Sequence, residues 1–377
     1  MFNEARRATW AEISLGNIKE NFHAIRGLAP GTETIVCIKG DAYGHGIVKT
    51  AWEFVREGAE YLGVATIEEA TQIRSAGMRA KIVLLSPAPR GNMKDVIDLR
   101  LIPVISAFED AKMLSNTAVR AGVKECIPFF VALETGMGRL GFMPTPGAVA
   151  DIAALSSLPW LRMLGVFSHF ATADEPDLSF AREQIEAFKA FGADLAANGV
   201  DVGIRTMANS AAIMALPESH FDVIRPGIAL YGLYPSATMD KSVLPLKPAM
   251  SVKANIVYIK KVPAGFPVSY NHRFVTKRES LIATLPIGYA DGLPRIGTGK
   301  TRVLVNGMSA PVVGSICMDI CMVDVTDVPD VCEYDEAVLL GRQDGNVITA
   351  EEIATNTGTN VYEVVCRFGQ RLPHVFR

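Results

Sequence analysis

Between Thr34 and Arg225 the chain repeats one alternation eight times: a short β-branched run, then a stretch with helical spacing. The runs are Thr34 to Lys39, Tyr61 to Thr66, Lys81 to Ser86, Ile102 to Ser106, Ile127 to Glu134, Met163 to His169, Ile204 to Asn209 and Phe221 to Arg225. Around and between them apolar residues recur every three or four positions, as in Leu15, Ile18, Phe22 and Ile25 or in Ile185, Phe188 and Leu195, which predicts amphipathic helices. Strands joined by crossover helices are parallel, and eight of them suffice to close a barrel. An open doubly wound sheet fits the same count, but no Gly-rich dinucleotide turn follows any run, and Gly136 and Gly138 lack the third glycine that opens such a helix.

The expectation is therefore an α/β plus β chain: a (β/α)8 TIM-like barrel over residues 1–240, then a second domain over 241–377. Near Pro235 to Pro248 the alternation stops. Beyond it, Ala254 to Val262, Leu281 to Ile287, Arg302 to Val305, Asp319 to Val325 and Ala337 to Leu340 read as a mostly antiparallel β domain, and the first residues of the chain are candidates to pair with it. Thr349 with Glu352 has the spacing of a capping box and signals one short helix there.

At 377 residues, with 49% apolar and 20% charged residues and a formal charge of −3, the chain can bury a large core and carries no nucleic-acid footprint. The start, Met1 to Arg7, is polar, and no apolar run of signal-peptide or bilayer length follows, so the chain reads as cytoplasmic and independent of the membrane. The six cysteines are scattered, only Cys317 and Cys321 being close, and they read as buried thiols with no metal site.

Barrel enzymes place their chemistry at the C-terminal ends of the strands, so the residues closing each run matter most. The first run closes on Lys39, the fifth runs into Glu134 to Arg139, the sixth ends in Ser168-His169, the seventh in Asn209-Ser210 and the eighth in Arg225-Pro226-Gly227. A lysine at the end of a buried strand is poorly solvated, and burial lowers its pKa, making it a better nucleophile; the alternative is a solvated surface lysine. Ser210 and Gly227 close adjacent strands where barrels build phosphate sites from hydroxyls and free N–H groups; singly, each is an ordinary turn residue. Arg225 is a permanent cation that donates hydrogen bonds and accepts no proton, suited to an anion or a pyridine nitrogen, unless it forms a structural ion pair with Asp222. His169 is either a satisfied core histidine or, from its strand-end position, functional.

Together these residues carry a resemblance over essentially the whole chain. Lys39 to Gly46 (Lys-Gly-Asp-Ala-Tyr-Gly-His-Gly) resembles the cofactor-lysine signature of the bacterial alanine racemases, with Gly40 where alanine is usual. Thr135 to Gly141 resembles that family's arginine loop, and Arg225 to Tyr231 its segment beside the cofactor ring. Val268-Ser269-Tyr270 resembles its catalytic-tyrosine motif, followed in family order by Ile287 to Gly292 and Cys317-Met318-Asp319. The resemblance implies a pyridoxal 5'-phosphate-dependent amino-acid racemase that interconverts L- and D-alanine for cell-wall peptidoglycan, with the cofactor held covalently on Lys39.

It further implies that Tyr43, Ser210, Gly227 and Ile228 hold the phosphate, that His169 lines the cofactor and supports Tyr270, and that Arg225 faces the pyridine nitrogen. A head-to-tail homodimer follows, in which Tyr270, Met318 and Asp319 of one subunit complete the site of the other, with Tyr289 in support. Racemisation needs two bases on opposite faces of the substrate: Lys39 for the proton of the D-enantiomer and Tyr270 for that of the L-enantiomer. An unperturbed tyrosine, with a pKa of ~10, needs lowering, which His169 and Arg139 could supply. Arg139 also contacts the substrate carboxylate, and Met318 lies with it.

The chain departs from the family at several points. Many members carry a carbamylated lysine where this chain has Ala132, so Arg139 is held otherwise, by a bound anion or by Glu134. Asn271-His272 follow the tyrosine where glycine is usual, Ile320 follows Asp319 where glutamine is frequent, and Gln370 precedes Arg371 where some members have a tyrosine. A polar lining at Gln370 could admit serine, which keeps a serine or broad-specificity racemase as the alternative. More distant are a barrel decarboxylase, whose glycine-rich phosphate loop and ring-facing acid are missing, a non-catalytic cofactor carrier, which needs no Tyr270, and a structural protein, which has no use for these residues together.

Overall fold

The structure, a computed structural model, describes residues 7–377; the polar start Met1 to Arg6 lies outside the described residues. After β1 (Thr9–Ile13) the expected runs form eight strands: β2 (Glu33–Cys37), β3 (Tyr61–Val64), β4 (Lys81–Leu84), β5 (Leu101–Ile105), β6 (Ile127–Ala132), β7 (Leu161–Phe167), β8 (Ile204–Thr206) and β9 (Val223–Ile224). Neighbours pair in parallel in sequence order, and β9 returns to β2 through Glu33 opposite Val223, so the sheet is a closed barrel and the open alternative is excluded. Ile35, Tyr61, Val83, Ile102, Val104, Phe130, Ala132, Phe167 and Val223 form one buried cluster within it. The helix Leu15–Leu28 buries Ile18, Phe22 and Ile25, and Ser179–Ala197 buries Ile185, Phe188 and Leu195, so the 3.6-residue spacing is the spacing of the apolar stripe.

Each of these runs outlasts its strand. Ladder pairing stops at Cys37, Phe167 and Thr206, whereas Lys39, His169 and Asn209 lie just beyond the C-terminal ends of the strands.

The described chain forms two compact units that are not contiguous in sequence. One contains Lys19–Ala42 and Ile47–Leu246, including the barrel; the other joins the segment through Ile18, Tyr43–Gly46 and Lys247–Arg377. In the second unit, β1 pairs antiparallel with Met250–Asn255 and parallel with the last strand, His374–Phe376. The expected run Ala254 to Val262 is two strands, Met250–Asn255 and Tyr258–Val262, paired with different partners. Thr349 caps Ala350–Thr357, but the Glu352 carboxylate binds Arg302 at 2.6 Å and 2.7 Å, so the capping box is half made; a second helix, Val361–Gly369, starts at Asn360. Within this unit Gly44 lies so close to the final helix that a Cβ would stand 2.3 Å from the carbonyl oxygen of Val365.

The cysteines are not uniformly buried as expected. Cys126 and Cys332 are exposed, Cys37 and Cys321 are buried, and none of the six forms a disulfide. No helix among the described residues is long and apolar enough to cross a membrane.

One barrel contact admits no side chain. A Cβ on Gly165 in β7 would lie 1.9 Å from the carbonyl oxygen of Ile204 at the start of β8. Gly165→Ala is expected to lose about 3 kcal/mol or fail to fold. Gly192→Ala, in open space on the helix Ser179–Ala197, should instead gain about 0.5–1 kcal/mol, both read by urea unfolding.

Candidate active site

Lys39 stands two residues beyond β2 and opens a single helical turn, Lys39–Gly44. Gly40, Asp41, Ala42, Tyr43 and Gly44 all have positive φ, between 53° and 79°, so the turn is left-handed. For Asp41, Ala42 and Tyr43 this geometry is steric strain, about 1–2 kcal/mol per residue. Contacts hold it in place. The Ala42 N–H donates to the Ile38 carbonyl at 2.8 Å, and the Asp41 carboxylate accepts from the Ile47 N–H at 2.7 Å. The Glu69 carboxylate, in a capping box with Thr66, accepts from the Gly40 N–H at 2.5 Å and the Ala65 N–H at 2.8 Å. The peptide that follows Lys39 is thus tied to the cap of the next helix. Lys39 itself is half-buried, less enclosed than a strand-end lysine was expected to be. Tyr43 is buried, its ring tilted against Tyr362 with centroids 6.2 Å apart.

Arg225, just past β9, is 3% exposed and has no carboxylate beside it. Asp222, the expected ion-pair partner, binds Arg205 instead, at 2.9 Å and 3.2 Å. The Arg225 guanidinium donates to Thr206 Oγ1 at 2.8 Å, the Ser168 carbonyl at 2.5 Å and the Met207 carbonyl at 3.1 Å, and lies over the Phe167 ring. Burial, with Arg139 as a further cation, pushes it down to about 9, which leaves it charged at neutral pH. Its Nη2 also faces His169 Nδ1 at 3.3 Å. Desolvation, then the charges of Arg225, Arg139 and Lys39, hold His169 well below the usual histidine range. The imidazole is therefore neutral, with Nδ1 accepting from Arg225 and the proton on Nε2. Beside them Ser210 Oγ accepts from the N–H of Gly227 at 2.8 Å and of Ala229 at 3.3 Å, joining the starts of Ser210–Ala215 and Ile228–Tyr231; Gly227 and Ile228 are buried.

Arg139 lies on an excursion from the end of β6 whose base is closed by Glu134 N–H to the Phe142 carbonyl and Phe142 N–H to the Ala132 carbonyl, both 2.9 Å. Glu134 is buried, and its carboxylate accepts from the N–H of Gly136 at 2.6 Å and of Arg139 at 3.2 Å. Burial alone would raise its pKa; the backbone N–H groups of Gly136, Gly138, Arg139 and Met137 outweigh it and lower it. Of the two expected ways of fixing Arg139, Glu134 thus acts on the loop backbone and not on the guanidinium, which is exposed. Beside Ala132 and Arg139 lies a cavity of about 10 Å³, room for one water.

Gln184 escaped the sequence analysis. Fully buried on the helix Ser179–Ala197, it donates to the His169 carbonyl at 3.0 Å and Thr135 Oγ1 at 3.4 Å, tying the arginine loop to the histidine. An amide in the stripe of Ala181, Ile185 and Phe188 was the signal available.

In the second unit Tyr270 is 67% exposed. Ser269, Asn271 and His272 around it have φ of 65°, 60° and 47°, so Asn271 takes the left-handed conformation that glycine would supply. Ser315 Oγ donates to the Tyr270 carbonyl at 3.0 Å, and Ser269 Oγ to the Ser315 carbonyl at 2.7 Å. The Tyr289 N–H donates to the Cys317 carbonyl and the Ala290 N–H to the Met318 carbonyl, both at 3.0 Å, so the two later motifs form one structure. Asp319 pairs with Arg371 at 2.7 Å; buried Asp291 pairs with Arg7 and Arg371. Met318 and Tyr289 are exposed, as is Gln370.

The barrel unit thus gathers Lys39, Arg139, His169, Ser210, Arg225, Gly227 and Ile228 on the loops at one end of the strands, with Tyr270, Tyr289, Met318 and Asp319 on hydrogen-bonded loops of the other unit. The alanine racemase N-terminal domain model matches residues 13–235 and the alanine racemase C-terminal domain model residues 249–376. Alanine racemase 1 of Clostridium acetobutylicum is 43% identical over 370 residues, covering 98% of this chain and 95% of the relative. The alanine racemase structure of Clostridium difficile superposes with a TM-score of 0.93 at 37% identity, covering 98% of this chain and 96% of that one. That of Bacillus anthracis with bound L-Ala-P gives 0.93 at 34%, covering 100% and 96%.

Glu134 provides a pH test. Its folded pKa is depressed, so its stabilisation is complete above the unfolded carboxylate value of ~4.3 and is lost as pH falls through the folded value. Glu134→Gln should be less stable than wild type by about 1–3 kcal/mol at pH ~7, with the gap shrinking below pH ~4, as read by urea unfolding.

Proposed function

The chain belongs to the alanine racemase family, and from that premise we propose that it interconverts L- and D-alanine with pyridoxal 5'-phosphate, supplying D-alanine for peptidoglycan in the cytoplasm. What carries this is the gathering of Lys39, a neutral His169 and a buried, acid-free Arg225 at one end of the barrel. The residues suit the cofactor. Lys39 is half-buried and accessible to an aldehyde, the buried Ser210 hydroxyl sits between two helical starts with Gly227 and Ile228, Tyr43 is near in sequence, and Arg225 offers a donor and no proton acceptor. When bound, pyridoxal phosphate would supply the electron sink that makes the substrate α-hydrogen acidic.

The chain's own groups then do the rest. Arg225 stays charged at neutral pH and would not surrender its proton to the cofactor, which would leave the sink weak and transamination disfavoured. Lys39 Nζ takes or returns the α-proton on one face, and the phenol oxygen of Tyr270 of the partner subunit does so on the other, in a head-to-tail homodimer. Exposed Tyr270, Met318 and Tyr289 on hydrogen-bonded loops suit burial against a second copy. Because His169 is neutral, it offers a hydrogen bond to Tyr270 and no charge. Arg139 binds the substrate carboxylate beside Met318, with Glu134 holding its loop, and Asp319, through Arg371, fixes the Met318 loop.

Exposed, polar Gln370 makes serine the second substrate to examine. Chiral chromatography of L-alanine and L-serine incubated with cofactor-loaded protein should show conversion of alanine. Lys39→Ala and Tyr270→Phe should each lower kcat by at least about 100-fold. Protein that holds the cofactor on Lys39 yet racemises neither substrate would refute the proposal; faster conversion of serine would change the substrate.

A further inference from the structure

At the opposite end of the barrel, where the strands begin, a cavity of about 930 Å³ is bordered by Tyr61, Lys81 and Leu101 at strand starts. It lies wholly within the barrel unit. Its rim carries Arg79, Lys81, Arg100, Lys124 and Arg162, all exposed. None of the five has an ion-pair partner among the described residues. Of the two acids on the lining, Asp98 is engaged by Lys94 at 2.5 Å, which leaves Glu125. Cations gathered on one rim repel one another, and this face of a barrel normally serves stability.

The backbone is arranged to keep them there. Arg74 donates to the carbonyls of Met78, Ala80 and Leu99 at 3.0, 2.8 and 2.8 Å and of Arg100 at 3.4 Å, stapling together the loops that carry Arg79 and Arg100. Arg100 has φ 50° just past the end of the helix Met93–Asp98, at the position where glycine is preferred, so the charged side chain is retained against local strain. Lys81 Nζ lies 4.8 Å from the centre of the buried Tyr61 ring, and the charges of Glu33, Glu60 and Arg162 also reach Tyr61.

We propose that this cavity binds a small multivalent phosphate anion, of the size of a nucleoside or inorganic triphosphate, between Arg100, Arg162, Lys81, Arg79 and Lys124. Arginine forks match phosphate oxygens bidentately, and a concavity of this volume suits a nucleotide-sized ligand. A chain of net charge −3 whose unpaired cations here surround one concavity is not built to track a nucleic-acid backbone. The site is independent of the proposed reaction, since no residue of it is placed in the catalytic machinery.

The test is isothermal titration of sodium triphosphate and of ATP into full-length protein already saturated with pyridoxal phosphate, at low and physiological salt. Saturable binding of either, at one site per chain and below about 1 mM, weakening as salt rises, is the expected result. Arg100→Gly with Arg162→Ala should weaken it at least tenfold. Arg100→Gly alone should weaken binding while raising the melting temperature, because glycine relieves the strain; a merely structural arginine would give no loss of binding. If neither anion binds saturably, if the double variant binds unchanged, or if binding occurs only without pyridoxal phosphate and disappears in Ser210→Ala, the proposal fails.

Discussion

Arg225 holds a positive charge out of water with no carboxylate to answer it, and the catalytic end of the barrel is arranged to make that tolerable. Its donors are spread over Thr206 on β8 and the carbonyls of Ser168 and Met207 just past β7 and β8. Those bonds register three consecutive strand ends, and burial, with this unneutralised charge added to it, holds His169 unprotonated. A carboxylate in its place would reverse the sign of the local electrostatics. On the proposed reading, the reaction class follows from what this one buried group cannot accept.

Two other charges are handled by backbone. Glu134 is surrounded by the N–H groups of its own loop, and Glu69 by those of Gly40, Ala65 and Thr66. Each carboxylate fixes a peptide next to a candidate site residue, Arg139 in one case and Lys39 in the other, by binding backbone N–H groups. The anchored backbone positions each side chain without an ion pair to it.

The strands were legible because β-branched runs and the 3.6-residue stripe of helices such as Leu15–Leu28 are statements about burial, and burial is what selects these residues. Strand ends were less legible: Ile38 extends the apolar run up to Lys39, and only Ser168 separates Phe167 from His169, so the runs read on past the ladder. The left-handed turn over Gly40 to Gly44 had no local signal at Ala42 and Tyr43, which take positive φ without being glycine. Gln184 and Glu69 looked like ordinary helix residues, and only the fold reveals which backbone groups they reach. Arg225 lacking Asp222 as partner was equally invisible, since Arg205 competes for that aspartate through geometry.

The position of β1 bears on how the chain is made. Its strand is paired on one side with Met250–Asn255 and on the other, in parallel, with His374–Phe376, the first and last strands of the described chain. Parallel pairing of that kind demands closure of a loop comprising nearly the whole polypeptide. During synthesis the barrel strands emerge in the order in which they pair, whereas Thr9–Ile13 keeps one edge open until His374–Phe376 has been made. Translation therefore imposes an order of assembly: the barrel condenses vectorially, and the sheet whose strands bracket it in sequence is sealed only after it.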